Sequence, residues 1–133
     1  MERELLALVH DLMRPVAHLE RVQDSHLEFV LLRYCVCTKP MHLLRMVSPR
    51  VHDAAGSIKF LTNLIRTEMG RITGGDLNNI MWEQAQQPTR DMGLGLQNYS
   101  LIAGGAYVAS QGSGALLRQR RAACRPWRAP LCA

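Results

Sequence analysis

Aromatic side chains are scarce in this chain, which has two Trp, three Tyr and two Phe among 133 residues. Aliphatic side chains and the seven methionines must therefore fill the hydrophobic core. A chain of this length supports one domain with a single core but not two. Its hydrophobic fraction of 47% and charged fraction of 20% are those of an ordinary globular protein.

Long apolar runs are also missing, since no stretch approaches the roughly 20 residues that would span a bilayer. The first residues, MERELLALVHDLM, include acids among the first charges and show no cleavage-site pattern. We therefore expect no membrane span and no secretion, and an intracellular location, cytoplasmic or nuclear.

Cysteines are few, and their spacing does not suggest a disulfide framework. Cys35 and Cys37 are one residue apart, and Cys124 and Cys132 lie near the end of the sequence. This favours free thiols in a reducing compartment. A metal site would need more ligands. The two side chains of Cys-x-Cys lie on different faces of a helix, and no second pair of ligand residues has zinc-finger spacing. We expect no metal or other cofactor, and surface positions for the five histidines: His10, His18, His26, His42 and His52.

Acidic residues are absent from the last 23 positions, although the whole chain carries a formal charge of +5. Residues 1–110 contain as many acidic as basic residues, so the entire excess lies in 111–133. Any long-range attraction to phosphate should therefore come from five arginines of that segment: Arg118, Arg120, Arg121, Arg125 and Arg128.

The hydrophobic pattern predicts an all-α fold, a small irregular bundle of about five or six helices with a disordered basic C-terminal tail. The first helix has Leu5, Leu8, Val9 and Leu12 on one face and ends at Pro15, after which a short helical turn follows. Asp24 or Ser25 can cap the next helix, HLEFVLLRYCVC. A strand is the alternative for that run, because several of its residues favour extended structure.

The middle of the chain predicts two further helices. Thr38 and Pro40 mark the start of MHLLRMV, and Ser48-Pro49 restarts the chain. The longest helix should run from about Arg50 to Arg71 with one seven-residue stripe facing a partner helix: Val51, Ile58, Ile65 and Ile72. Gly56 inside it marks either a close helix crossing or a tolerated imperfection.

The last third predicts two helices and the tail. Gly74 and Gly75 end the long helix, Asp76 can cap LNNIMWEQAQQ, and Pro88 closes it. A connector leads to a last helix from Gln97 or Asn98 to about Ser110. The domain boundaries are thus a helical domain over 1–110 and an Arg-rich flexible tail over 111–133.

The stretch RDMGLGLQNYSLIAGGAYVAS, residues 90–110, is rich in glycine but lacks a nucleotide-binding signature. Asn98 stands where a dinucleotide fingerprint needs its third glycine, and no Gly-Lys-Ser/Thr follows. Gly93 and Gly95 should form a structural bend, and residues 103–106 should let a neighbouring helix approach closely. No nucleophile motif such as G-x-S-x-G occurs and the acids are scattered, so we expect no catalytic residues and no enzymatic activity.

Two segments, LLRYCVCTKPMHLLRMVSP (31–49) and WEQAQQPTRDMGLGLQNYSLIAGGAYVAS (82–110), resemble the region after the polymerase core in reverse-transcriptase-like proteins of non-LTR retroelements. The resemblance covers about residues 25–110 and departs at Gln87 and Met92, where leucine and glycine are usual. The shared residues are Leu31, Leu32, Arg33, Cys35, Pro40, Leu44, Arg45, Pro49, Gln84, Ala85, Pro88, Gly93, Leu94, Gly95, Leu96, Ala106, Tyr107, Ala109 and Ser110.

The resemblance implies a thumb-like piece downstream of the catalytic palm, because the chain has no Tyr-x-Asp-Asp turn for metal-dependent polymerisation. The leading hypothesis is a non-enzymatic fragment or remnant of such a protein, binding RNA or DNA weakly and non-specifically. Arg33, Arg45, Arg50 and the five tail arginines are the candidate contacts. The alternative is a helical protein-interaction module that pairs with itself or with a partner through the 51/58/65/72 stripe.

Overall fold

The computed structural model describes residues 2–123, with side chains described through residue 116. Helices and turns account for this part of the chain, and no strand occurs in it, so the predicted all-α fold is confirmed. The α-helices are Glu2–Leu12 (α1), Ser25–Leu31 (α2), Met41–Met46 (α3), Pro49–Ala55 (α4), Ser57–Thr73 (α5), Asn79–Gln86 (α6) and Tyr99–Ala123 (α7). Arg14–Val22 and Thr89–Asp91 are 3-10 helical, and Leu32–Val36 is a π-helical turn.

Helix α1 buries a narrower face than its pattern predicts. Leu5 and Val9 are buried and Met13 follows them into the core, whereas Leu8 is exposed. Helix α1 ends at Leu12. The chain continues as the 3-10 segment Arg14–Val22, which contains Pro15 near its start and buries Val16 and Leu19. The predicted second helical turn is therefore present in a tighter form.

The apolar run after residue 24 is helical, which excludes the strand alternative. Asp24 is the N-cap, and its carboxylate accepts hydrogen bonds from the backbone N–H groups of His26 and Leu27. The run continues through the π-helical turn, closed by the Cys37 N–H donating to the Leu32 carbonyl at 2.9 Å. As expected for Cys-x-Cys on a helix, Cys35 is exposed and Cys37 is buried.

The prediction of one long helix from Arg50 to Arg71 is wrong in one respect, because the helix is interrupted at Gly56. Gly56 has a φ of +69°, a left-handed conformation that ends α4 and starts α5. The stripe of Val51, Ile58, Ile65 and Ile72 therefore crosses two helices, and it packs on the chain's own core, with Ile58 and Ile65 buried. Ile58 and Ile65 therefore contribute to the chain's own core, and Val51 and Ile72 are partly buried against it.

Two predicted helix caps are also corrected. The Thr38 hydroxyl does not cap α3; it donates back to the carbonyls of Tyr34 and Cys35, which belong to the preceding helix. Helix α6 is capped by Asn78, whose side chain accepts from the Met81 N–H at 2.8 Å, and Asp76 lies two residues too early. The predicted stop at Gly74 is confirmed by its left-handed conformation at the end of α5.

The connector between α6 and α7 folds tightly against the end of α6. The N–H groups of Leu94 and Leu96 both donate to the Ala85 carbonyl at 3.2 Å, and the Gly95 N–H donates to the Gln87 carbonyl at 2.9 Å. A Cβ on Gly93 would collide with the Gln87 backbone, and Gly95 has a φ of +66°. The predicted structural bend at these two glycines is confirmed.

Helix α7 begins where expected, with Asn98 accepting a hydrogen bond from the Leu101 N–H, but it does not end at Ser110. Its helical backbone continues to Ala123. Residues 124–133 of the predicted tail lie outside the described residues. Ala103 is buried against the core, but a Cβ on Gly104 or Gly105 would meet open space, so these glycines do not mediate the expected close helix approach.

Helix α3 and the turn before it run beside α7 in the same direction. The Tyr99 hydroxyl donates to the Cys37 carbonyl at 3.0 Å, and the Ser110 hydroxyl donates to the Arg45 carbonyl at 2.7 Å. The core lies between this pair and helices α1, α4 and α5. Its fully buried larger side chains are Tyr99, Leu32, Leu44, Leu61, Ile65, His52, Val9 and Val16.

Candidate nucleic-acid interface

A groove of about 860 Å³ lies between α3 and α7. Two of its lining residues, Met41 and Arg45, come from α3. The others belong to α7 and are mostly small: Leu101, Ile102, Gly105, Ala106, Ala109, Ser110, Ser113 and Gly114. Small side chains keep the groove shallow and open, so an extended ligand backbone could lie along it.

Arg45 is the predicted contact that the fold places in this groove. It is in the last turn of α3, and its side chain is exposed. The Arg45 carbonyl accepts a hydrogen bond from the Ser110 hydroxyl, which links the end of α3 to the middle of α7. The groove lining contains no acidic side chain, so Arg45 sets its charge.

Arg33 lies elsewhere. Its guanidinium carbon is 4.9 Å from the centre of the Tyr34 ring, a cation–π contact, and a Cβ on Gly95 would lie 2.6 Å from one guanidinium nitrogen. The end of the Arg33 side chain is flexible and could move away from such a Cβ, so it is the left-handed backbone that favours glycine at position 95. Arg33 is at the Gly95 end of the α3–α7 layer, and Arg45 is at the Ser110 end.

The remaining predicted contacts are dispersed. Arg50 is exposed in the first turn of α4. Arg118, Arg120 and Arg121 are on the backbone of α7 beyond the groove, and the structure does not describe their side chains. Arg125 and Arg128 lie outside the described residues. Of Arg33, Arg45 and Arg50, the three whose side chains the structure describes, Arg45 alone lines the groove.

A buried histidine was missed by the sequence reasoning, which placed all five histidines on the surface. His52 is fully buried, and its Nδ1 is 2.7 Å from the Ser57 hydroxyl oxygen while its Nε2 is 3.4 Å from the Leu43 carbonyl. Burial lowers the pKa of His52. A serine next to a histidine is typical of a nucleophile and its base, but Ser57 is also fully buried, so this pair connects α3, α4 and α5 structurally.

Burial also shifts the pKa of two other groups. Burial raises the pKa of the Cys37 thiol to about 11, and the neighbouring Tyr99 hydroxyl offsets only part of that effect. Burial also raises the pKa of Tyr99. Both groups therefore stay neutral near pH 7, which suits packing and gives neither a reactive thiolate nor a phenolate.

An ion pair connects α2 to α5 in a way that the local sequence pattern does not reveal. The Arg71 guanidinium lies 2.7 Å from the carboxylate of Glu28, which is buried, and 3.0 Å from that of Glu68. Although burial opposes the charge, the hydrogen bonds that the guanidinium donates to both carboxylates raise the pKa of Arg71. Residues 28 and 71 are too far apart in sequence for helical spacing to predict this contact.

The described residues contain no group of three His, Cys, Asp or Glu side chains arranged to hold a metal ion. Within the same part of the chain, no helix has the length and apolar character needed to cross a membrane. Comparisons with family models, curated proteins and solved structures found no match to this chain.

Proposed function

We propose that this chain is a non-enzymatic helical protein that binds the phosphate backbone of RNA or DNA, without sequence specificity, along the α3–α7 groove. The observation that carries the proposal is the position of Arg45, exposed in a groove whose lining has no acidic side chain. Binding through phosphates needs few specific contacts and depends on positive charge that can approach closely.

Helix α7 supports this role through its charge and its length. It contains no acidic residue over Tyr99–Ala123. At about 1.5 Å per residue, positions 118–121 follow Ser110 by about 12–17 Å along the helix axis. Nucleic acid lying in the groove could therefore continue along α7 towards the positions of Arg118, Arg120 and Arg121.

We also propose that residues 25–110 derive from the region after the polymerase core of a retroelement reverse-transcriptase-like protein. The support is the shared residue pattern of 31–49 and 82–110. The gene itself can test this. A reading frame that continues upstream into a polymerase core with metal-binding aspartates would support the derivation, and an unrelated upstream sequence would contradict it.

The binding proposal is tested by fluorescence anisotropy with short labelled single-stranded RNA and duplex DNA over a series of salt concentrations. We expect affinity to fall as salt rises, with a log–log slope of about −0.7 to −0.9 per phosphate contact. Arg45→Gln should reduce the magnitude of that slope by about one. The matched control is Arg14→Gln, which removes the same charge from an exposed arginine that pairs with Asp11 at 3.2 Å, away from the groove.

The proposal fails if the full chain does not bind either nucleic acid at low salt. It also fails if Arg14→Gln and Arg45→Gln weaken binding equally, because net charge rather than the groove would then explain the affinity.

A further inference from the structure

A second groove, about 400 Å³, opens between the end of α5, helix α6 and the connector after it. We call it the methionine groove; its apolar lining includes Met69, Leu77, Ile80, Met81, Met92 and Leu94. Ile80 is 78% exposed and Met92 is 89% exposed, which is unusual for large apolar side chains on a folded surface. Flexible methionines suit a groove that adapts to an inserted side chain.

The charged residues directly beside a lining residue in the sequence are acidic, although Arg66 also reaches this edge and donates hydrogen bonds to the Leu77 carbonyl. Asp76 precedes Leu77, Asp91 precedes Met92, and Glu83 is next to Gln84, which also lines the groove. Glu68 precedes Met69 but is held by Arg71, and Asp91 lies 3.5 Å from Arg90, so Asp76 and Glu83 are the acidic neighbours without an ion pair in the described part of the chain. An occupant of this groove should therefore be apolar with basic residues beside the apolar anchor.

Residues 124–133, CRPWRAPLCA, match that description, because Trp127 lies between Arg125 and Arg128 and the segment has no acidic residue. The same chain cannot place Trp127 in its own methionine groove. Residues 33–45 run beside 95–110 in the same direction, and Glu28, which precedes this stretch, contacts Arg71 near the end of α5. The end of α5 is therefore remote from the C-terminal end of α7.

The residues after α7 are too few to span the separation between its C-terminal end and the methionine groove. Ala123 is about 36 Å beyond Tyr99 along the α7 axis, and the four residues from there to Trp127 span at most about 14 Å. A second copy of the chain has no such constraint.

We propose that Trp127 of one copy inserts into the methionine groove of a second copy, with Arg125 and Arg128 facing the acidic residues around it. If both tails insert, the dimer is symmetric. This inference involves a different groove from the nucleic-acid proposal and needs no nucleic acid, although Arg125 and Arg128 take part in both.

The test is sedimentation velocity of the full chain over a concentration series, in a reducing buffer so that Cys124 and Cys132 form no disulfide between copies. We expect a concentration-dependent dimer that weakens as salt rises. Trp127→Ala should weaken the dimer about tenfold or more. Ile80→Gln and Met92→Asn should weaken the dimer to a similar extent. Combining either of them with Trp127→Ala should cause little further loss, because the groove variants and Trp127→Ala remove the same contact between Trp127 and the groove.

Ile80 and Met92 are exposed, so their neutral replacements should preserve the fold, which circular dichroism checks. Asparagine is also suited to position 92, where φ is +61°. The matched control is Val108→Gln on α7, which replaces an exposed apolar residue outside both grooves and should leave the dimer unchanged. A wild-type chain that stays monomeric overturns the proposal. So does a dimer that loses affinity in the groove variants but not in Trp127→Ala, since the groove would then hold a different occupant.

Discussion

At the scale of single residues, His52 is the side chain whose environment differs most from its sequence context. It is fully buried, hydrogen-bonded to Ser57 and to the Leu43 carbonyl, and it joins three consecutive helices. The neutral ring satisfies both neighbours if Nε2–H donates to the carbonyl and Nδ1 accepts from the hydroxyl. A protonated ring could still hydrogen-bond to Ser57, so it is the buried charge that the fold disfavours.

We predict that the free energy of unfolding decreases as pH falls below about 6.5, the unperturbed histidine pKa. Because burial lowers the pKa of His52 in the folded state, the unfolded chain binds more protons between that lowered pKa and 6.5. The contribution of neutral His52 is thus fully present above about 6.5 and is lost as pH falls towards the folded-state value. Urea unfolding at pH 7.5 and pH 5.0 measures the difference.

The control for this prediction is the exposed His42. His42→Gln should keep the pH dependence of the wild type, whereas His52→Gln should be less stable at pH 7.5 and less sensitive to pH. Equal pH dependence in the wild type and His52→Gln would show that other groups are responsible.

At the scale of elements, glycines decide where helices stop and how tightly the connector packs. Gly56 divides α4 from α5 through its left-handed backbone, and Gly93 lies against the Gln87 backbone, where no Cβ fits. Glycines 104 and 105, by contrast, are in the middle of α7 and face open space. Glycine is therefore needed for close packing at position 93, whereas at positions 104 and 105 it makes no such contact.

We predict that Gly93→Ala lowers the free energy of unfolding by about 2 kcal/mol or more, because the added Cβ meets rigid backbone. Gly104→Ala is the matched change in open space, and it should stabilise the protein by about 0.5–1 kcal/mol through helix propensity. Chemical denaturation of both variants measures the contrast. Equal effects of the two substitutions would mean that Gly93 does not hold a close contact.

At the scale of the whole molecule, charge is divided unevenly between a neutral body and a basic C-terminal segment. The core is built from residues before 111, and the side chains at 111–113, 115 and 116 are exposed. In the part of the chain that the structure describes, the packed core and the basic segment therefore lie in different places.

We predict that, at protein concentrations too low for association through Trp127, deleting residues 111–133 leaves the melting temperature nearly unchanged and removes most of the non-specific affinity for nucleic acid at low salt. Circular dichroism melting and anisotropy titration measure the two effects. A full-length variant with all five tail arginines changed to glutamine separates charge from length. If charge is the cause, this variant should bind as weakly as the deletion, and undiminished binding by either form would contradict the prediction.

The sequence by itself determined the all-α class, a helix cap at Asp24 or Ser25, the stop at Gly74 and the bend at Gly93 and Gly95. These features depend on residues close together along the chain, where spacing, capping groups and glycine conformations act locally. The same local reasoning placed Cys35 and Cys37 on different faces of a helix, but only the structure showed that Cys35 is exposed and Cys37 is buried.

Only the tertiary structure decided which apolar stripe is buried, where the longest helix lies, and which arginine lines the groove. The 51/58/65/72 stripe has the spacing of a partner surface but is covered by the chain's own helices. Burial of His52 and pairing of Glu28 with Arg71 join residues from different helices. Such contacts follow from how helices pack against one another, and the period of a single helix contains no information about its neighbour.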